Sequence, residues 1–249
     1  MNPAEFANIA RAEESFWWYR GMRRIMFRLL DPLAERRRIG GVLEAGCGTG
    51  HFALALAKRY GWKMFPLDLG REGLEFGASL GVERMVQADI RALPFAGASF
   101  DAVVSMDVIV HLPRGEEGAP VAEFARVLKP GGLFVIRTSA LGVLRSRHSI
   151  FAGERQRFTR GRLVELAGSH GIRVLRCTYA NSLLLPVAFV KFRVVEPIAG
   201  GAPSSGVKPV APWLDKLLCA PLHLEAAWLG AGGGFPLGQS LILIGTKRV

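Results

Sequence analysis

The sequence is poor in cysteine and contains no long apolar run. Its three cysteines, Cys47, Cys177 and Cys219, are scattered through 249 residues without C-x-x-C spacing. This usage predicts a reducing compartment and argues against both a disulfide framework and a zinc site. Residues 183–190 form the most apolar late stretch, which is far shorter than the roughly 20 residues that cross a bilayer, and residues 1–14 lack the pattern of a signal peptide. We therefore expect a soluble, cytoplasmic protein.

Acidic residues are the scarcer charge. The sequence has 21 Asp and Glu against 32 Lys and Arg, which gives a net charge of +11. An excess of this size fits an anionic partner, such as an acidic substrate, a membrane surface or a nucleic acid, and it fits equally a protein from a high-pI proteome. Half of the residues are hydrophobic, so a substantial core is available. The length allows one large α/β domain with an elaboration, or at most two domains.

Two widespread catalytic motifs are also missing. The sequence contains neither G-x-S-x-G nor H-E-x-x-H. It therefore gives no indication of the nucleophile turn of serine hydrolases or of the zinc helix of metalloproteases.

The most informative stretch is 42–50, in which an apolar run ends in Glu44 and three glycines follow at alternate positions, beginning with Gly46 and Gly48. It predicts a strand, a tight turn and the start of a helix, because glycine permits positive φ and lets a ligand lie against the main chain. The helix expected at 51–60 would offer its free N–H groups to that ligand. A dinucleotide site would show G-x-G-x-x-G, and that third glycine is absent.

The G-x-G-x-G spacing, with an acid two residues before the first glycine, resembles motif I of the class I S-adenosylmethionine-dependent methyltransferases. Asp68 ends the apolar run 62–68 and lies 18 residues beyond Gly50, close to where a βαβ unit places the carboxylate that binds two ribose hydroxyls. NAD-binding proteins use a carboxylate in the same way, so Asp68 indicates a nucleoside but does not distinguish NAD from S-adenosylmethionine. Asp89 and Ile90 match the family position that holds adenine, where the carboxylate binds the exocyclic amine and the aliphatic side chain covers the ring.

Two later segments carry the same resemblance. Residues 100–112, with F-D-x-V-x-S followed by H-L, are similar to small-molecule methyltransferases of the type 11 group, such as those of ubiquinone and menaquinone biosynthesis. Residues 126–133 are close to the family's turn before its fifth strand. The resemblance covers roughly residues 42–178, and its four motifs occur in the family's order.

Strand, helix and strand recur along the chain, which predicts an α/β fold with a doubly wound, mostly parallel sheet. The resemblance implies seven strands in a Rossmann-like methyltransferase fold, with a last strand at 240–246 antiparallel beside the sixth. We also expect a third strand at 82–88 and a fifth strand that begins at 133 after a turn. The expected domains are a helical lid at 1–40, a cofactor-binding α/β domain at 41–178 plus 239–249, and an inserted helical cap or dimer segment at 179–238.

The resemblance also implies site residues. Those around the cofactor, S-adenosyl-L-methionine, would be Glu44, Gly46, Cys47, Gly48, Asp68, Leu69, Asp89, Ile90 and Met106. Tyr19, Arg20 and Arg24, in the aromatic and basic segment that begins at Phe16, are candidates to contact the cofactor carboxylate or an acidic substrate. His111 is the candidate catalytic base for a hydroxyl acceptor, because neutral imidazole is abundant at pH 7; alternatively, it caps or packs against the next helix. No metal is expected, and the product of the cofactor would be S-adenosyl-L-homocysteine.

We expect this chain to transfer a methyl group to a small, hydrophobic or anionic metabolite, in line with the nucleophile and mainly by proximity. The acceptor atom can be oxygen, nitrogen or carbon. The apolar pieces of 179–238 favour a hydrophobic or membrane-proximal acceptor, or a homodimer contact. Three other functions stay open: a non-catalytic S-adenosylmethionine-binding module, an RNA methyltransferase, for which no RNA-binding domain is visible, and a nucleotide-dependent oxidoreductase, which would need the missing third glycine.

Overall fold

The computed structural model describes residues 2–208 and 210–249. Within them, a seven-stranded sheet has the order β3-β2-β1-β4-β5-β7-β6, and only β7 runs antiparallel to its neighbours. The strands are β1 (Gly41–Ala45), β2 (Lys63–Asp68), β3 (Val86–Gln87), β4 (Phe100–Met106), β5 (Leu128–Ser139), β6 (Ile172–Ala180) and β7 (Ser240–Lys247). This topology confirms the predicted doubly wound sheet with an antiparallel last strand.

The described residues also form ten α-helices. They are α1 (Pro3–Ala12), α2 (Trp17–Arg36), α3 (His51–Tyr60), α4 (Arg71–Ser79), α5 (Gly118–Val127), α6 (Arg147–Phe151), α7 (Arg160–Ser169), α8 (Leu185–Val190), α9 (Glu196–Ala199) and α10 (Pro212–Gly230). A π-helical turn, Lys191–Val195, joins α8 to α9. Helices α1 and α2 are hereafter the lid, and α8 to α10 with their connections are the cap. Both segments are helical as expected, and their division into separate domains stays a prediction.

Alternate residues of the central strands contribute to two hydrophobic cores, one on each face of the sheet. Leu43, Val103 and Phe134 are buried in one core, and Val42 and Val135 are buried in the other. Strands that are apolar on both faces are typical of a parallel sheet covered by helices. The carboxyl ends of β1, β2 and β4 therefore meet at one edge, where ligands bind in folds of this kind.

The lid helix α2 packs directly against the cap helix α10. Gly21 permits the close approach, because a Cβ atom there would lie 2.6 Å from Leu222 Cβ. At the start of α2, Asp215 of α10 accepts hydrogen bonds from the Trp17 amide at 2.9 Å and from Arg20 Nη2 at 2.5 Å. This carboxylate caps the positive end of the helix dipole. The lid and the cap are thus one packed unit, which the sequence did not indicate.

Two strand starts differ from the prediction. β3 spans two residues rather than 82–88, because the chain turns at Arg84, whose φ is 56°. β5 begins at Leu128, because the Lys-Pro-Gly-Gly segment expected as a preceding turn is instead a bulge inside the strand, opposite Phe100 and Ala102. Both differences lie at the amino ends of strands, so the carboxyl edge of the sheet is as predicted.

The outer surface of the cap exposes large apolar side chains. Each of the following is at least 46% exposed: Val187, Val190, Val194, Ile198, Trp213, Leu217, Leu224 and Trp228. In the ranges that the structure describes, none of the helices combines the length and the apolar character needed to span a bilayer. Apolar surfaces of this kind commonly contact a partner. Our expectation that a membrane surface or a second copy of the chain contacts the cap stays a prediction.

Gly21→Ala tests the packing of the lid on the cap. We expect it to lower the free energy of unfolding by about 1–3 kcal/mol, because the added methyl group overpacks the contact with Leu222. Urea denaturation measures the change. The matched control is Gly161→Ala in α7, where a Cβ atom has no neighbour within 4 Å and should be neutral or slightly stabilising. Wild-type stability in Gly21→Ala would contradict the close packing of α2 on α10.

Candidate functional site

The glycine turn after β1 closes onto the end of β2. The amides of Gly46 and Cys47 both donate hydrogen bonds to the Leu67 carbonyl, at 2.7 and 2.8 Å. Gly46 has a φ of 81°, and a Cβ atom there would lie 2.6 Å from Val108 Cγ1. The turn therefore requires glycine both for its backbone conformation and for space, and it presents bare main chain to the edge of the sheet.

Asp68 joins the turn to the next loop. One carboxylate oxygen accepts a hydrogen bond from the Gly48 amide at 2.7 Å, and the other accepts one from the Gly70 amide at 2.8 Å. A carboxylate oxygen can accept more than one hydrogen bond. Asp68 is thus fixed in position and can still accept two further hydrogen bonds from vicinal hydroxyls.

Asp89 lies at the same edge and is held by a residue that the sequence did not single out. Arg91 donates to it from its backbone amide at 2.8 Å and from Nη2 at 2.7 Å. These bonds keep the pKa of the Asp89 carboxyl below its usual range. The carboxylate is therefore ionised at neutral pH. It lines the cavity and can accept a hydrogen bond from a ligand there.

Glu44 is the innermost acid of the site. Its side chain is buried, and Oε2 has no hydrogen-bond partner among the described residues. Burial, the charge of Glu13 and the charge of Asp68 raise its pKa well above the usual value. Burial and Glu44 likewise raise the pKa of the Cys47 thiol, so this cysteine is not a thiolate. This oxygen is thus available to a ligand group that can complete its hydrogen bonding.

A cavity of about 910 Å³ lies between this edge, the lid and the cap. The sequence-predicted residues that line it are Tyr19, Glu44, Gly46, Cys47, Gly48, Asp68, Leu69, Asp89, Ile90, Met106 and His111. Eleven of the thirteen predicted positions are thus brought together at one cavity. Their roles stay predictions.

Arg20 and Arg24 are the exceptions. Arg20 pairs with Asp215 of α10, Arg24 is exposed on α2, and neither lines the cavity, whereas Arg23 does. The reason for Arg24 is helical phase: Tyr19 and Arg23 are four residues apart on one face of α2, and the next residue is rotated by about 100°. The sequence predicted a basic residue of this segment, but it could not fix which one faces inward. We therefore replace Arg24 with Arg23 as the candidate cation.

Arg23 is half-buried and has no carboxylate within ion-pair distance among the described residues. Its Nη1 atom donates to the Glu13 carbonyl at 3.2 Å and to His51 Nδ1 at 3.3 Å. Burial lowers its pKa, but an arginine remains charged at neutral pH. Burial and Arg23 also lower the pKa of His51, which keeps that ring neutral. The cavity wall thus contains a guanidinium group that can bind an anion.

Glu13 is a second residue that the sequence analysis missed. It follows the last residue of α1, and its carboxylate accepts a hydrogen bond from the Thr49 hydroxyl in the glycine turn. Burial raises the pKa of Glu13 to about 7. One signal was available, because an acid at the carboxyl end of a helix opposes the helix dipole. Glu13 is therefore unfavourable for α1 itself, and this position could have singled it out as a residue with another role.

His111 ends the short 3-10 turn, Ile109–His111, that follows β4. Its Nδ1 atom lies 3.1 Å from the Gly153 carbonyl. Because a carbonyl only accepts, Nδ1 carries the proton and Nε2 keeps its lone pair. Burial lowers the pKa of the ring, so it is neutral near pH 7. His111 thus has the tautomer and the charge state that a general base needs.

A partly buried ion pair after β4 also lines the cavity. Asp107 has a φ of 57° and accepts hydrogen bonds from Arg137 Nε at 2.9 Å and Nη2 at 2.5 Å. The Arg137 guanidinium lies 5.0 Å from the centre of the Trp18 ring. Positive φ is uncommon outside glycine and clusters at functional sites. The sequence gave no sign of this pair, because its members are 30 residues apart.

The far wall of the cavity is where the lid meets the cap. Ser205 donates to Glu5 Oε1 of α1 at 2.9 Å, and the Gly206 amide donates to His148 Nδ1 at 3.1 Å. Glu5 is buried, and it lies 3.6 Å from the His148 ring. Glu5, His148, Ser205 and Gly206 all line the cavity, so α1, α6 and the segment before α10 meet at this wall.

The central segment of the chain matches a known family. Residues 43–136 match the family model described as a methyltransferase domain. This segment contains the glycine turn, Asp68, Asp89 and the region around His111. The match confirms the resemblance that the sequence motifs predicted.

Two curated relatives align with part of this chain. The chain is 34% identical to the methyltransferase GfsG of Streptomyces halstedii over 119 residues, which are 44% of this chain and 42% of that protein. It is also 34% identical to the ubiquinone biosynthesis O-methyltransferase of Xylella fastidiosa over 117 residues, which are 44% of this chain and 46% of that protein. The chain spans less than half the length of these relatives.

Solved structures share the whole fold. A Haloferax volcanii protein in complex with the Trm112 methyltransferase activator superposes with a TM-score of 0.61, over 100% of this chain and 99% of its own. The sequences are only 17% identical, so this likeness shows the fold alone.

The tautomer and charge of His111 can be measured by nuclear magnetic resonance. We expect its ring to titrate below the usual histidine pKa and to carry the proton on Nδ1 in the neutral form, because the ring is buried and Nδ1 donates to Gly153. The signal that disappears in His111→Gln is assigned to His111. Because protonation of His111 is disfavoured in the folded state, the wild-type residue should lower the free energy of unfolding as the pH falls below its unfolded pKa. Titration above the usual value, or a proton on Nε2, would contradict this account.

Proposed function

Residues 43–136 form a methyltransferase domain, and from this premise we propose that the chain transfers a methyl group from S-adenosyl-L-methionine to a small hydrophobic or anionic metabolite. One observation carries the proposal most directly. Three acids at successive strand ends, Glu44, Asp68 and Asp89, line a single cavity together with the bare glycine turn. This arrangement suits an adenosyl group with a positively charged sulfur.

The residues present fit that cofactor. Asp68 is fixed by two amides and would accept hydrogen bonds from the ribose hydroxyls. Asp89 would accept one from the adenine amine while Ile90 covers the ring. Glu44 has an unpartnered buried oxygen for a donor of the amino-acid end, and Arg23 would bind its carboxylate. Each part of the cofactor thus has a complementary group in the cavity.

The cofactor, when bound, supplies an electrophilic methyl group, so the protein needs to orient the acceptor more than to activate it. Proximity and orientation alone can lower a barrier by about 7–11 kcal/mol in well-oriented cases. For a hydroxyl acceptor, His111 Nε2 would take the proton, since Nδ1 is engaged with Gly153. The hydrogen bond from Ser205 to Glu5 joins the cap to the lid beside this cavity.

The part of the cavity that the lid and the cap line indicates the kind of acceptor. Apolar and aromatic side chains of the lid and the cap line it: Phe16, Trp17, Trp18, Phe192, Val210, Leu214 and Leu218. Basic groups also reach it, and among them Lys191 of the cap has no carboxylate within ion-pair distance in the described residues. A metabolite with an apolar body and an anionic group complements both features.

Methyl transfer can be tested with tritiated methyl donor and a panel of quinols, phenols, amines, fatty acids and prenyl acids. We expect label in a small apolar or acidic acceptor. Binding of the donor without transfer to any compound would favour a non-catalytic binding module. Label in RNA that is lost steeply with added salt would favour RNA methylation instead.

Asp68→Ala tests the ribose assignment. We expect it to weaken S-adenosylmethionine binding at least about tenfold, because two hydrogen bonds to a charged acceptor are lost. Calorimetric titration measures the dissociation constant, and thermal denaturation confirms that the variant folds. Glu75→Gln is the control, since Glu75 forms only an exposed ion pair with Arg71. Unchanged affinity in Asp68→Ala would remove the assignment.

Arg23→Gln and Arg24→Gln form a matched pair on adjacent residues of one helix. We expect Arg23→Gln to weaken binding of S-adenosylmethionine about tenfold, because it removes the unpaired cation from the cavity. Arg24→Gln should leave the affinity within about twofold, because Arg24 is exposed outside the cavity. The opposite ranking would restore the sequence-based choice of Arg24.

A further inference from the structure

The lid reaches the glycine turn through one acidic side chain. The carboxylate of Glu13 accepts a hydrogen bond from the Thr49 hydroxyl, and its backbone carbonyl accepts one from Arg23. Glu13 also lines the cavity together with Glu44 and Gly48. A lid carboxylate is thereby held against the glycine turn, beside Glu44 and Arg23, which the proposed function assigns to the amino-acid end of the cofactor.

This carboxylate has no cation in contact. Among the described residues, no lysine or arginine nitrogen lies within 4.0 Å of it, although Arg23 attracts it from farther away. Burial raises its pKa to about 7. Near neutral pH, the side chain is therefore divided between an ionised and a protonated form, and a nearby positive charge would shift it to the ionised form.

The groups that face Glu13 do not supply that charge. They are Arg23 and Tyr19 of α2, Glu44 of β1 and Cys47 of the turn, with His51 and Asp68 behind them. Tyr19, Glu44 and Cys47 have pKa values raised by burial first and by Glu13 among their charged neighbours. Arg23 is the single cation of this group, and it is attracted to both Glu13 and Glu14. A cationic ligand in this part of the cavity would therefore meet, in Glu13, a carboxylate that has no cation in contact.

We propose that Glu13 is the residue by which the site distinguishes the methyl donor from its demethylated product. The inference rests on the proposed function. The donor has a sulfonium centre and the product a neutral thioether, so the two differ by one positive charge at nearly constant shape. An ionised Glu13 stabilises the sulfonium through the low dielectric of the cavity. When the product is bound, the carboxylate takes up a proton and this attraction is lost, which favours product release. Because Glu13 belongs to the lid, the loss of charge on the ligand is felt by the lid.

Calorimetric titration at pH 7, in two buffers that differ in ionisation enthalpy, tests the inference. For the wild type, binding of S-adenosylmethionine should release about half a proton, because Glu13 is about half protonated beforehand. S-adenosylhomocysteine should release almost none. Sinefungin, which has an amine in place of the methylated sulfur, should behave as the donor does.

Glu13→Gln should abolish the proton release. It should weaken binding of S-adenosylmethionine about tenfold and change that of S-adenosylhomocysteine less than about twofold, because only the charged ligand loses its partner. The matched control is Glu14→Gln, since Glu14 is the adjacent, exposed acid, and it should retain both the proton release and the ratio of affinities. Equal loss for both ligands, or proton release that persists in Glu13→Gln, would overturn the inference.

A measurement without ligand shows whether Glu13→Gln retains the fold. The raised pKa means that the folded state holds this proton more tightly than the unfolded chain. The free energy of unfolding should therefore fall as the pH rises from the usual range of a glutamate to about 7, and Glu13→Gln should be less sensitive to pH there. Absence of binding of either ligand to the wild type would refute the proposed function itself. Binding of both with an unaltered ratio in Glu13→Gln would refute only the role of Glu13.

Discussion

The structure depends on how the carboxylate of Asp68 joins two backbone segments. It accepts hydrogen bonds from Gly48 in the turn after β1 and from Gly70 in the loop after β2, while Leu67 accepts two amides of the same turn. Parallel strands put these two loops side by side, and the glycines leave no side chain between them. The result is an edge of bare main chain that carries a carboxylate acceptor. The other acids and the lid are arranged around that edge.

Much of this arrangement could be predicted because it is local in sequence. A strand that ends in Glu44, a glycine turn and a strand that ends in Asp68 fall within a short segment, and each is specified by its own residues. The sheet order follows from the alternation of strands and helices. The predicted residues therefore meet at the cavity even though β3 is shorter and β5 longer than expected.

The parts that the sequence did not reveal are contacts between distant segments. Asp215 caps α2 from 195 residues away in the chain, and Glu13 reaches Thr49 across 36 residues. Neither residue belongs to a motif, and both act through tertiary packing. Arg24 was predicted in place of Arg23 because a composition argument identifies a basic segment but not the face of a helix that is turned inward. The face of a helix that is turned inward is determined by the elements against which the helix packs.

The lid contributes charge as well as cover. Arg23 and Glu13 of the lid line the cavity without ion-pair partners among the described residues, whereas Arg137 of β5 and Asp107 after β4 are bound to each other. Partly buried charged groups without partners are costly in a free protein. The proposed donor, a zwitterion with an additional positive sulfur, would offset that cost. The free site is thus electrostatically complementary to the proposed donor.

The most direct test is a crystal structure of the protein with S-adenosylhomocysteine bound. The account predicts ribose hydroxyls within hydrogen-bond distance of Asp68, the adenine amine beside Asp89 and the amino-acid carboxylate at Arg23. A ligand in another orientation, or one that binds away from the glycine turn, would contradict it.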